Sequence, residues 1–217
     1  MANTYLIKTL GTQTLATKCT ISMWFKKSNP TNHGSLIFGN SNAAGIFCHQ
    51  DGFIDVYNDN SHIRTSRLFR DVSAWYHIVV AFDTTLATAS DRTKLYINGV
   101  RETSFTTYES YPALNSNTLL GSATAHVIGT NNNIANFFDG SISHINFIDG
   151  TAYDASYFGS TDTTTGEWKI NTSPSVTYGN NGFFILKDGN SVTDQSPNTN
   201  NFTVGGGTLT KTEDCPS

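Results

Sequence analysis

The chain has 217 residues, enough for one large all-β domain to bury a core without disulfides or a metal. Only 14% of the residues are charged, the net charge is −4, and no run of Lys or Arg occurs. That balance argues against nucleic acid as the main partner, because phosphate binding needs a basic footprint. Gly, Thr, Asn and Ser are abundant, which is the composition of a turn-rich β protein with a hydroxyl and amide surface.

The opening MANTYLIKTL lacks the basic segment and long apolar core of a secretion signal. No 18-residue apolar run follows, so the expectation is a soluble protein made in a cytoplasm, with no membrane insertion. The sequons at Asn171 and Asn201 then read as chance. In CTISMWFKKS, Ile21, Met23 and Phe25 fall on one face and Thr20, Ser22 and Trp24 on the other, predicting a strand. GSLIFG is a short apolar strand. GIFCHQDGFIDVYND reads as two β runs broken at Gln50-Asp51-Gly52. AWYHIVVAFD is apolar on both faces and reads as a central strand, with Trp75, like Trp24, assigned to the core.

KLYINGVRETSF carries Asn98-Gly99 between two β runs, the strongest short hairpin signal in the chain. Later strand candidates are NTLLG, HVIGT, FFDGSISHINFIDG and GFFILKDG. Helical periodicity is nearly absent; DASYFGS reads as one helical turn with Asp154 as N-cap. The polar stretch 159–181 reads as a long surface connection, in which Trp168 either packs down that segment or faces a neighbouring subunit. Short strands with turn residues between them predict an all-β, two-sheet antiparallel β-sandwich or jelly roll. It is expected to be one domain over 1–217, with its core in 1–158 and returning strands and a tail in 182–217.

Four fragments in order, ISMWFKKS (21–28), AWYHIVVAFDTT (74–85), KLYINGVRETSF (94–105) and FFDGSISHINFIDG (137–150), resemble the concanavalin A-like, laminin-G-like sandwich superfamily. A narrower resemblance rests on NTYLIKTL, RLFRDVSAWYHIVVAFDTTLATASDRTKLYINGV, INFIDGTAYDASYFGSTDTTTGEWKI and YGNNGFFILKDG. These look like a group of marine bacteriophage proteins regarded as virion or tail-associated structural proteins. The resemblance implies a virion component with a lectin-like fold and supplies no ligand; the reading adopted is a particle-exposed protein, on a tail fibre, appendage or capsid, with other virion proteins as partners and host-surface glycan as the expected attachment target. A homo-oligomer is expected. In many laminin-G relatives a segment like VTDQSPNTNNFTVGGG precedes the Trp24 strand; here it comes last, which implies a circularly permuted strand order.

Function classes are narrowed by what the motifs lack. Sandwich-fold glycan hydrolases carry Glu-x-Asp-x-x-Glu on one strand; in GFIDVYND Asp55 is present, but Phe53 and Asn58 stand about where the glutamates would be. This stretch reads as a plain strand, and no phosphate loop, nucleophile elbow or HExxH occurs. The expectation is a non-enzyme. The alternatives are a polysaccharide depolymerase with carboxylates from separate loops, and a purely architectural subunit. His77 fits the family's Trp-x-His pattern and reads as structural. Cys19, Cys48 and Cys215 have no disulfide or zinc spacing.

For glycan binding, Tyr108, Tyr111, Asn115 and Asn117 lie in TTYESYPALNSN, which is rich in amides and hydroxyls, although aromatics flanking a proline also pack on sandwich edges. No cofactor is required. Calcium, which many lectin sandwiches bind at a loop rim, would draw on Asp51, Asp59, Asp83 and Asp149; ordinary turn chemistry accounts for the same residues.

Overall fold

The computed structural model describes residues 3–39 and 43–216. The larger of two sheets has eight strands in the order β10 (Phe105–Ser110), β6 (Ser61–Thr65), β5 (Ile54–Asn58), β4 (Ala44–Cys48), β3 (Gly34–Gly39), β11 (Ala125–Ile128), β1 (Tyr5–Thr9) and β16 (Thr203–Gly206). The second has six: β15 (Phe183–Ile185), β12 (Gly140–Asp149), β2 (Lys18–Lys27), β7 (Tyr76–Asp83), β8 (Thr93–Ile97) and β9 (Val100–Arg101). Every pairing in both sheets is antiparallel.

Alternation along the strands builds the core between the sheets. Cys19, Ile21, Met23 and Phe25 of β2 turn inward with Ile78, Val80 and Phe82 of β7. They meet Ile46, Ile54, Val56 and Ile63 of the larger sheet. Cys19 and Cys48 belong to this core, where burial pushes both thiols up to about 12, whereas Cys215 is exposed. Asn98 (φ 49°) and Gly99 (φ 79°) are both left-handed, as a two-residue hairpin turn of the twist-matched kind requires. Gly99 also sits under Trp168: a Cβ there would lie 2.4 Å from the indole.

The chain's last strands return to the same sandwich. β15 pairs with β12, and β16 pairs with β1, so the end of the chain lies beside its beginning.

Three expectations are corrected. NTLLG is not a strand: Thr118 N donates to Ala16 O (2.6 Å) and Leu119 N to Asn58 Oδ1 (2.7 Å), so its backbone is satisfied outside any ladder. Trp75 is not in the core. It precedes β7, half-exposed, and its Nε1 donates to Asp214 Oδ1 (2.9 Å), 139 residues away. Trp24 is buried as expected, on the outer face of the six-stranded sheet.

The third correction concerns 159–181. This segment is more than a connection, for it carries a two-stranded hairpin of β13 (Gly159–Thr161) and β14 (Trp168–Ile170). Together with Phe158 and Tyr178 it covers the apolar outer face of the six-stranded sheet at Val79, Ile148 and Phe184. Asp154 accepts from Ser156 N (2.8 Å) and caps a short 3-10 turn at Ala155–Tyr157, as the sequence predicts.

Candidate functional site

Strand register on the larger sheet assembles a polar and aromatic groove on its outer face. The β4–β5–β6 pairing lines up Phe47, Asp55 and Arg64 on one rung and Gly45, Tyr57 and His62 on the next. Alternation explains the choice of face: Ile54, Val56 and Ile63 point into the core, so Asp55, Tyr57, His62 and Arg64 point out. Gly45 keeps the floor open, since a Cβ there would lie 2.6 Å from Phe38 Cγ. The resulting cavity holds about 250 Å³ and is lined by His33, Phe38, Phe47, His49, Tyr57 and the Asp55–Arg64 pair.

Asp55 is the hub. It is 1% exposed, and its Oδ1 meets Arg64 Nε (2.6 Å) and His62 Nε2 (2.7 Å) while Oδ2 accepts from Arg64 Nη2 (3.1 Å). Burial alone would raise its carboxyl. The hydrogen bonds from His62 and Arg64, with the guanidinium charge, outweigh burial and hold it below the usual carboxylate range. Tyr57 stacks on His62 at 4.1 Å, and Tyr108 of the edge strand β10 lies 4.7 Å from His62 and 4.5 Å from the Arg64 guanidinium. Phe53 lies 5.6 Å from that guanidinium. At the far end His33 meets Phe47 edge-on at 4.1 Å and His49 at 4.9 Å; burial, then repulsion from His49, lowers its pKa and keeps it neutral.

The groove does not present a glycosidase's pair of carboxyl groups. A glycosidase acid must hold a proton near neutral pH, and a second carboxyl must flank the bond. Asp55 is the one carboxyl among the lining residues, it is ionised, and both its oxygens are occupied. What the groove offers is a set of mutually tilted rings with guanidinium, imidazole and phenol groups around them, groups that can pack on a sugar ring and bond its hydroxyls.

A second histidine site invites a catalytic reading and does not support it. His77 Nε2 lies 2.9 Å from Ser22 Oγ, but Trp168 Nε1 lies 3.0 Å from Nδ1. An indole N–H only donates, so Nδ1 is the acceptor and Nε2 carries the proton toward Ser22. No lone pair is left to activate the serine. Burial lowers His77 to about 3, and the ring stacks between Trp24 (4.8 Å) and Trp168 (6.0 Å). The role is structural, and Trp168 packs down its own segment.

Of the predicted binding residues, Tyr108 lies beside the groove, against His62 and the Arg64 guanidinium. Tyr111 packs against the core and donates its hydroxyl to Glu109 Oε1 (2.8 Å). Asn115 and Asn117 are exposed in a turn held by the Asn115 N to Thr84 O bond (2.8 Å), and no hydrogen bond or ring contact among the described residues links them to Tyr108. The four aspartates do not converge. Asp51 and Asp59 lie at opposite ends of β5, Asp83 pairs with Lys18 (2.9 Å), and Asp149 is buried with Oδ2 accepting from Thr14 N (2.8 Å) and Asn181 N (3.1 Å). No group of three or more His, Cys, Asp or Glu among the described residues is placed to hold a metal. The groove residues Asp55, Tyr57, His62 and Arg64 are not among the predicted binding residues; their signal is the alternation in IDVYN and SHIRT.

Two stacked antiparallel sheets with an aromatic, hydrogen-bonding groove define a lectin-type jelly roll. The chain belongs to the concanavalin A-like lectin/glucanases superfamily, whose laminin-G-type model matches residues 3–156. Among solved structures it is similar to a protein from Bacteroides ovatus ATCC 8483 that carries a provisional carbohydrate-binding assignment. The TM-score is 0.63 at 14% identity over 99% of this chain and 59% of that one, so this chain spans less than two thirds of its length. It is likewise similar to the native heptameric SAP-like pentraxin of Limulus polyphemus, with TM-score 0.58, 14% identity, and 99% and 91% of the two chains covered. These likenesses are of fold. No curated protein sequence matches the chain.

Proposed function

We propose that this chain is a non-enzymatic, lectin-like component of a bacteriophage particle that attaches to host-surface glycan through the outer-face groove. The observation that carries the binding part is the Asp55–Arg64 pair, which fixes a guanidinium under Tyr108 and beside Tyr57. A rigid second layer behind exposed rings is what holds a binding surface in place. The virion part is supported by the resemblance of INFIDG…STDTTTGEWK and its flanking segments to phage structural proteins. A groove of about 250 Å³ suits a single sugar ring, so affinity per copy is low and many copies on a particle raise avidity.

Two measurements test this. On a glycan array the purified protein should give discrete hits, and Tyr108→Ala should weaken them at least tenfold, about 1.4 kcal/mol. Tyr108 is 49% exposed, so the variant should fold normally. An array with no hits sinks the binding reading. Absence of the chain from purified particles, by mass spectrometry, sinks the virion reading.

A further inference from the structure

A second cavity shares no lining residue with the groove. It holds about 410 Å³ and opens where the sheets part beside β1 and β12. Leu6 and Ile128 form one wall, Ile142 and Leu186 the other, and the 208–215 tail crosses the opening. The tail is fastened by Asp214, which accepts from Lys26 Nζ (2.7 Å) and Trp75 Nε1 (2.9 Å), while Leu209 packs against the core.

Three observations separate this cavity from a packing defect. Its volume lies in the range of small-molecule sites, where a well-packed interior leaves few voids larger than a water. Its backbone is strained: His144 (φ 48°) and Leu186 (φ 56°) are left-handed, face each other through the His144 N to Leu186 O bond (3.0 Å), and flank a bulge in β12 between Ser143 and Asn146. Non-glycine residues in that region, and bulges, recur at ligand clamps.

The third observation is charge. Lys187 Nζ has no hydrogen bond or ion pair among the described residues; it lies 5.7 Å from the Phe184 ring, beside His144. His144 Nδ1 is held by Ser143 Oγ (2.7 Å), which leaves Nε2 without a partner. Burial, then the Lys187 charge, lowers His144 to about 4, with exposed Asp188 opposing slightly. Asp214 is neutralised by Lys26, and Glu213 lies 3.6 Å from Lys211. Asp139, also on the wall, immediately precedes β12, five residues before His144, about 16 Å of extended chain.

We propose that this cavity is a second binding site, for an amphipathic monoanion. Its acidic head meets Lys187 and His144, and its apolar body lies along Ile142, Leu186 and Leu209 beneath the tail. One ammonium without an ion pair among the described lining residues favours a single negative charge. The inference is independent of the glycan reading.

The test is calorimetry of the full chain with decanoate and, as an uncharged control, decanol. Decanoate should bind saturably at one site per chain, decanol at least tenfold more weakly. Lys187→Gln, a change at a half-buried surface residue, should weaken decanoate at least tenfold, whereas Tyr108→Ala in the groove should leave it unchanged. Ile142→Trp should abolish binding by filling the cavity. Equal binding by wild type and Lys187→Gln, loss in Tyr108→Ala, or no saturable binding would overturn the proposal.

Discussion

Asp55→Ala is expected to lower stability at neutral pH by about 3 kcal/mol, because removing one partner of a buried ion pair strands the other. The figure belongs at the low end of that range, since Arg64 keeps 16% of its side chain exposed and can turn toward water. For a domain of this size the loss corresponds to a fall in Tm of roughly 6–12 °C. The same carboxyl carries a pH dependence. Its folded pKa lies below the unfolded value of 3.8, so its contribution is fully present above that value and is lost as pH falls through the folded one. The gap between wild type and Asp55→Ala, read by thermal unfolding, should therefore be constant from pH 7 to 5 and close below about pH 4. A gap independent of pH, or no gap at pH 7, would mean that the Asp55–Arg64 pair does not hold the groove together.

Trp168→Ala should have an effect of similar size for a different reason. Its indole closes over Gly99 and Gly159 and donates to His77 in the apolar layer outside the six-stranded sheet. Truncating a well-packed Trp costs about 3–5 kcal/mol; this one is half-buried, so about 3 kcal/mol is expected. The pH signature again separates this from a generic loss. Buried neutral His77 has a folded value of about 3 against 6.5, so its contribution is complete above pH 6.5 and falls as pH drops toward 3. In Trp168→Ala the ring regains water, its pKa rises, and the acid-induced loss of stability between pH 6.5 and 3 should be smaller than in wild type. NMR titration of the His77 ring reads this directly, and an unchanged low pKa in the variant would contradict the covering role of Trp168.

The architecture was legible because its determinants are local. Ile21, Met23 and Phe25 alternate with Thr20, Ser22 and Trp24, and Asn98-Gly99 demands a tight left-handed turn; both follow from residues within ten positions. Trp75 was misread because its partner, Asp214, is remote in sequence. The apolar residues of NTLLG do point inward, at Leu120, but its amides are taken by Ala16 and Asn58, which no local pattern reveals.

The groove was half legible for the same reason. Alternation places Asp55 and Tyr57 on one face, and His62 and Arg64 on one face. Only the pairing of β5 with β6 sets Asp55 opposite Arg64 and Tyr57 opposite His62, and turns a strand that looked plain into the centre of the site. Tyr108 is legible through the composition of its segment, yet it lies on the edge strand β10 rather than in a loop. Loop composition alone grouped it with Tyr111, Asn115 and Asn117, which the fold directs to the core and to the far turn.

Glycan binding on the outer face of the eight-stranded sheet is the reading on which the proposed function depends. Its most direct test is an ¹⁵N-resolved NMR titration of the full chain with the best glycan from the array. Saturable shifts are expected at Gly45, Tyr57, His62, Arg64 and Tyr108, with the 113–117 turn and the tail cavity unmoved. Shifts centred on that turn or that cavity, with the groove silent, would contradict it.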